Sequence, residues 1–116
     1  MGTRTCGGEP VTLWGSGGDD AIAGTWSRDV VHALGGDDTV ESGPGRDLIC
    51  LGGGVDKARA GGGDDAVFGE AGPDRLFGEG GDDQLTGGRG EDLLDGGRGR
   101  DDCAPDPRDR LVRCEA

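Results

Sequence analysis

The chain has 116 residues, with 24 acidic against 12 basic side chains and a formal net charge of −12 at pH 7. Such a charge disfavours nucleic acid and anionic membrane surfaces as partners and favours cations. The length allows one domain, and no apolar run reaches the roughly 18 residues of a transmembrane helix. With 28 glycines and only 31% hydrophobic residues, the composition indicates disorder unless the sequence repeats.

The first predicted element is a short strand near the end of residues 1–14. Leu13 lies nine residues before Ile22, and this nine-residue spacing continues along the chain. Stacked repeats need closed ends. We therefore interpret residues 1–14 as an N-terminal cap in which Leu13 points inward and Trp14 shields the edge.

Ten nine-residue repeats follow over residues 15–104 without insertion or deletion. Position six is always aspartate: Asp20, Asp29, Asp38, Asp47, Asp56, Asp65, Asp74, Asp83, Asp92 and Asp101. Position four is glycine in every repeat but the second, which has Ser27: Gly18, Gly36, Gly45, Gly54, Gly63, Gly72, Gly81, Gly90 and Gly99. Composition alone does not place ten aspartates in register, so the nonapeptide is a structural unit.

Position eight supplies one inward residue per repeat, apolar in nine repeats and cysteine in the tenth: Ile22, Val31, Val40, Ile49, Ala58, Val67, Leu76, Leu85, Leu94 and Cys103. An inward residue between two outward ones forms a three-residue strand. The glycine-rich residues before it favour a tight turn, because glycine tolerates positive φ. The repeats therefore predict an all-β, right-handed parallel β-roll (a β-solenoid). It has two short-stranded parallel sheets and about five 18-residue circuits, with odd repeats in one sheet and even repeats in the other.

Some repeats depart from the pattern. Trp26 and Ser27 replace residues expected to be glycine-like, which predicts a weakened turn in the second repeat. Ala58 predicts a thin layer in the middle of the core. Outward apolar residues, including Val30 and Leu48, mark a possible partner surface.

The consensus G-G-x-G-x-D-x-U-x, with U apolar, resembles the repeats-in-toxin (RTX, hemolysin-type) family of calcium-binding nonapeptides. Residues 87–95 fit it in full, and residues 60–68 and 78–86 lack one glycine. The resemblance implies that calcium binds between turns one circuit apart, shared by repeats n and n+2. The position-six aspartates and position-four glycines named above would then be the metal-binding residues. Ten turns allow eight such pairs, and therefore up to about eight ions.

The chemistry of the turns agrees with this implication. Calcium takes six to eight oxygen ligands from carboxylates and carbonyls, and glycine-rich turns leave carbonyls unobstructed. Without cations the stacked aspartates would repel one another, so we expect folding to be coupled to calcium binding. The alternative is that these are solvated turn residues, because aspartate is common in turns. Ten in register favour the ligand interpretation.

Residues 105–116 are predicted to form a C-terminal cap. Counting in nines places Val112 at position eight and Arg110 at position six. An arginine there cannot supply a carboxylate, so this turn is not expected to bind calcium as the others do.

Four cysteines allow three disulfide pairings. We favour Cys103–Cys114, which closes the C-terminal cap, and Cys6–Cys50, which ties the N-terminal arm to the fourth repeat. Free thiols are the alternative, above all for the core-facing Cys103. A zinc site is disfavoured because the chain has one histidine and no C-x-x-C pair.

These features favour a monomeric, non-enzymatic calcium-binding module with a structural or binding role outside the cell. The chain resembles small exported calcium-binding proteins of high-GC Gram-positive bacteria. The alternative is a repeat module of a secreted hydrolase, toxin or adhesin whose effector domain is absent from this sequence. Neither H-E-x-x-H nor G-x-S-x-G is present, and nothing in the sequence identifies a protein or carbohydrate partner.

Overall fold

The computed structural model describes residues 5–6, 9–104, 109–112 and 114. Within these ranges every regular element is a strand, and no helix there is long and apolar enough to cross a membrane. The strands are β1 Thr5–Cys6, β2 Glu9–Pro10, β3 Leu13–Trp14, β4 Ala21–Ala23, β5 Val30–His32, β6 Thr39–Glu41, β7 Leu48–Cys50, β8 Lys57–Arg59, β9 Ala66–Phe68, β10 Arg75–Phe77, β11 Gln84–Thr86, β12 Leu93–Asp95, β13 Asp102–Ala104 and β14 Arg110–Val112.

Each nonapeptide forms one strand from its positions seven to nine, which gives β4–β13. Each strand pairs in parallel with the strand 18 residues further on, so that Ile22 lies opposite Val40 and Val40 opposite Ala58. One sheet has the order β14-β12-β10-β8-β6-β4, and the other has the order β13-β11-β9-β7-β5-β3. The predicted β-roll, with odd and even repeats in separate parallel sheets, is confirmed.

The core lies between the two sheets and is formed mainly by position eight. From Val31 to Leu94 these side chains are fully buried, whereas Ile22, at the first circuit, is partly buried. Position one is a second source of core residues, because Ala33, Leu51 and Ala60 are also fully buried in the same cluster. Leu51 and Ala58, which belong to the same repeat, are both fully buried in this cluster, and the thin layer at Ala58 stays a prediction.

The N-terminal arm covers part of the outer face of the even sheet. Strand β3 pairs with β5, with Leu13 opposite Val31 as predicted. The Trp14 side chain is 46% exposed and stacks on His32, with 6.1 Å between ring centroids. The expectation that Val30 faces solvent is wrong, because only 4% of it is exposed and it packs in a small outer cluster that includes Val11.

The last strand has a register that differs from the prediction. In the pairing of β12 with β14, Leu111 lies opposite Leu94, and Asp109 occupies the place of a position-six aspartate. The assignment of Val112 to position eight and of Arg110 to position six is therefore wrong. Only four residues separate Ala104 from Asp109, against five in the regular repeats. The pairing follows the apolar and acidic side chains rather than a constant count. The rest of the predicted C-terminal cap (105–108, 113, 115 and 116) lies outside the described residues.

Disulfides tie the roll at its C-terminal end and at the outer face of the even sheet. Cys103 and Cys114 form a disulfide, as favoured, and the free-thiol alternative for Cys103 is wrong. Cys50 is also disulfide-bonded. The side chain of Cys6, its predicted partner, lies outside the described residues, so that pairing remains a prediction.

Candidate metal centres

The position-six aspartates form two stacks, one along each edge of the roll where the turns enter the strands. One stack contains Asp20, Asp38, Asp56, Asp74, Asp92 and Asp109, and the other contains Asp29, Asp47, Asp65, Asp83 and Asp101. From Asp29 to Asp101, each is only 1–3% exposed. Each stack is therefore a row of carboxylates largely withdrawn from water.

One oxygen of each stacked carboxylate is used by the fold. The backbone N–H of Asp38 donates to Oδ1 of Asp56 at 2.7 Å, and that of Asp56 donates to Oδ1 of Asp74 at 2.9 Å. The aspartate carbonyl in turn accepts from the strand one circuit later, as in the 2.8 Å bond from the Arg75 N–H to the Asp56 carbonyl. These bonds fix the carboxylates one above another.

The other oxygen, Oδ2, is buried and receives no hydrogen bond from the described part of the chain at Asp38, Asp47, Asp56, Asp65, Asp74 and Asp83. A buried polar atom without a partner is destabilising, and a buried unpaired charge is more so. A proton or a cation at each of these Oδ2 atoms would remove that penalty.

The pKa values of these aspartates are raised by the same burial. Burial is the main cause that raises the pKa of these aspartates, and neighbouring carboxylates in the stack raise it further, whereas the backbone N–H donors lower it. The pKa rises to about 6 for Asp47, about 7 for Asp56 and Asp83, and about 8 for Asp65 and Asp74. Near neutral pH, a cation at Oδ2 would compete with a proton.

The turns between strands expose backbone carbonyls to one another. Position four has φ between +89° and +110° in repeats three to ten. A Cβ on Gly54 would collide with the carbonyl oxygen of Gly36 one circuit earlier, and one on Gly72 would collide with that of Gly54. Glycine is required here both for its φ and for this close approach. Gly18 shares neither the positive φ nor the close contact.

The donor set of the turns suits a hard cation. Among the described residues, no group of three or more His, Cys, Asp or Glu side chains converges as a metal site by itself. A metal would therefore be held by one or two aspartates of a stack together with carbonyl oxygens of the glycine turns. An all-oxygen set of this kind fits calcium rather than zinc or copper.

Two groups of residues escaped the sequence prediction. Asp109 continues the first stack, and aligning the final turn with a one-residue gap would have found it. Ser16 and Thr25 hydrogen bond to Asp20 and Asp29, the first aspartates of the two stacks. The signal for these is a hydroxyl residue four positions before the aspartate.

A family model described as the RTX calcium-binding nonapeptide repeat (4 copies) matches residues 7–31, 14–49, 23–58, 52–76 and 68–103. These overlapping matches span residues 7–103, which include nearly all of the β-roll. RTX repeats bind calcium in general. No curated protein and no solved structure matches the chain.

Proposed function

Because the chain belongs to the RTX calcium-binding nonapeptide repeat family, we propose that calcium ions lie between its turns, one circuit apart, and complete the buried aspartates. The observation that carries this proposal is the row of buried Oδ2 atoms that receive no hydrogen bond. The sequence-predicted aspartates from Asp38 to Asp101 and the position-four glycines supply the ligands, as carboxylates and carbonyls respectively. Ten turns provide eight pairs and so up to about eight ions.

Calcium binding is expected to be coupled to folding. Position eight contributes one side chain per repeat to the core, and many of those are valine or alanine. Ordering the backbone opposes folding by about 1–2 kcal/mol per residue, so a core this thin needs another source of stability. Cations that bind the folded stacks and not the unfolded chain supply it through mass action.

The proposed role is structural or binding, non-enzymatic and extracellular, with the chain acting as a monomer. The Cys103–Cys114 disulfide supports an oxidising compartment, where calcium also reaches concentrations that fill modest-affinity sites. The one histidine, His32, is stacked on Trp14 and accepts the Leu34 N–H at Nδ1. The division into caps at residues 1–14 and 105–116 around repeats at residues 15–104 belongs to the same proposal.

Circular dichroism during a calcium titration, with and without reductant, tests the coupled folding. We expect chelated protein at neutral pH to lose β-structure and to regain it as calcium is added. A metal-free chain that is already fully β-structured, with a melting temperature that calcium does not change, would contradict the proposal.

Calorimetry on aspartate variants tests the ligands. Asp65→Asn with Asp83→Asn removes two neighbouring buried carboxylates of one stack and should lower the number of bound ions. Asp64→Asn with Asp82→Asn is the matched control, because both position-five side chains are exposed and the Asp82 N–H donates to Oδ1 of Asp64, an atom that asparagine retains. An equal ion count in both variants would refute the ligand assignment.

A further inference from the structure

The first turn of each stack is closed by a hydroxyl residue. The Ser16 N–H donates to Asp20 Oδ2 at 2.6 Å, and the Ser16 hydroxyl donates to Oδ1 at 3.0 Å. The second stack repeats the arrangement: the Thr25 N–H donates to Asp29 Oδ2 at 2.8 Å, and the Thr25 hydroxyl donates to Oδ1 at 2.9 Å. Both carboxylates therefore have donors at both oxygens.

This arrangement differs from that of the later turns in a specific way. In the later turns Oδ1 accepts the N–H of the aspartate one circuit earlier, and Oδ2 of the six residues from Asp38 to Asp83 accepts nothing from the described chain. Asp20 and Asp29 begin their stacks, since residues 2 and 11 are not aspartate. The hydroxyl takes the place of the missing N–H at Oδ1, and the backbone N–H of the same residue occupies Oδ2.

The backbone of these two turns differs as well. Positions two and four have positive φ in repeats three to ten but not in repeats one and two. The Ser16 hydroxyl accepts the Gly18 N–H at 3.1 Å, and the Thr25 hydroxyl accepts the Ser27 N–H at 3.1 Å. Gly18 could adopt a left-handed conformation without strain and does not. The two turns therefore differ at position four, which is Gly18 in one and Ser27 in the other, but share the hydroxyl network.

We propose that Ser16 and Thr25 make the first turn of each stack a metal-independent cap, so that Asp20 and Asp29 are not calcium ligands. This inference rests on the proposed calcium function of the remaining turns. Neither Asp20 nor Asp29 has an aspartate 18 residues before it, and protein donors take the place that the ion has elsewhere. In the first pair of each stack, only the later carboxylate, Asp38 or Asp47, has an Oδ2 that accepts nothing from the described chain.

The test compares two double variants of the full chain by calorimetry and by native mass spectrometry with calcium as the only added metal. Asp20→Asn with Asp29→Asn should leave the number of bound ions unchanged and the affinity within about twofold. The matched control, Asp38→Asn with Asp47→Asn, alters the next aspartate of each stack and should lose ions. Loss of ions in the first variant would overturn the cap. A wild-type chain that binds no calcium would instead overturn the calcium function itself.

A second variant addresses folding. Ser16→Ala with Thr25→Ala removes the hydroxyls and should lower the melting temperature at saturating calcium, because no ion occupies these turns to compensate. A further tenfold rise in calcium should not restore the melting temperature, since binding to the folded state elsewhere stabilises both proteins equally. Selective recovery of the variant at high calcium would show that ions enter these turns and would overturn the proposal.

Discussion

Two neighbouring glycines in the fifth repeat provide a sharp test of the turn geometry. Gly54 has φ +97°, and a Cβ there would collide with the carbonyl oxygen of Gly36 in the preceding circuit. Gly53 has no positive φ, and a Cβ on it would meet nothing within 4 Å. Gly54→Ala and Gly53→Ala therefore make the same chemical change one residue apart in opposite environments.

The expected magnitudes follow from these environments. For Gly54→Ala, a left-handed alanine is less stable by about 1–2 kcal/mol. The overlap with the Gly36 carbonyl adds about 1–3 kcal/mol of overpacking. The lower entropy of the unfolded alanine chain offsets about 0.4–1 kcal/mol of this, which leaves a net destabilisation of about 1–5 kcal/mol. For Gly53→Ala only the entropic contribution remains, so we expect a change between zero and a stabilisation of about 1 kcal/mol.

Urea denaturation at saturating calcium measures both changes, provided that the m-values match that of the wild type. The calcium concentration at half-folding should also rise for Gly54→Ala and not for Gly53→Ala. Equal unfolding midpoints for the two variants, or greater damage from Gly53→Ala, would refute the close stacking of position-four carbonyls.

Three further predictions concern the core, the stacked carboxylates and the C-terminal end. Leu51→Ala should destabilise the calcium-loaded protein by about 2–5 kcal/mol, whereas Val55→Ala, at a residue 53% exposed, should change stability by less than about 0.5 kcal/mol; equal urea midpoints would contradict the role of position one. Because burial raises the pKa of Asp65 from 3.8 to about 8, the folded metal-free state binds more protons than the unfolded chain. This stabilisation is complete below pH 3.8 and is lost as the pH rises through about 8. The β-structure that the chelated chain retains, measured by circular dichroism, should therefore increase as the pH falls from about 8.5 to about 5, and a decrease over that range would count against buried carboxylates. Cys103→Ser with Cys114→Ser opens a disulfide that spans 11 residues and should reduce the free energy of unfolding by about 3 kcal/mol; a urea midpoint equal to that of the wild type would contradict this.

The regular part of the fold could be predicted because each repeat encodes it locally. Three-residue strands and glycine turns follow from nine consecutive residues, and identical spacing of Val40, Ala58 and Leu76 leaves parallel stacking as the arrangement that buries them. The position-one core residues escaped prediction because glycine usually occupies that position. Leu51 directly follows strand β7 and is buried in the same cluster as Ala33 and Ala60, which is a property of the coil rather than of any one repeat.

The structure at the two ends of the fold depends on contacts that the nine-residue repeat does not encode. Leu111 lies opposite Leu94 because the last turn is one residue shorter than the others. Counting in steps of nine residues cannot detect that shift. The burial of Val30 depends on the N-terminal arm, whose residues have no repeat to place them.

The sequence predicted which residues form the candidate site but not what each of their oxygen atoms does. Aspartate in ten consecutive repeats identifies the stacks, but the sequence does not say that Oδ1 is held by the backbone while Oδ2 is left without a donor. The hydrogen bonds also show the same closed arrangement in the first and second turns, which the sequence analysis did not anticipate.

A crystal structure of the calcium-loaded protein, with anomalous differences measured for the ions, tests the central claim most directly. We predict two files of ions along the edges of the roll, with Oδ2 of Asp56, Asp65 and Asp74 each about 2.3–2.6 Å from an ion and glycine carbonyls completing the coordination. No ion should lie against Asp20 or Asp29. Stacks that bind no calcium, with water or side-chain donors at these Oδ2 atoms, would contradict the account.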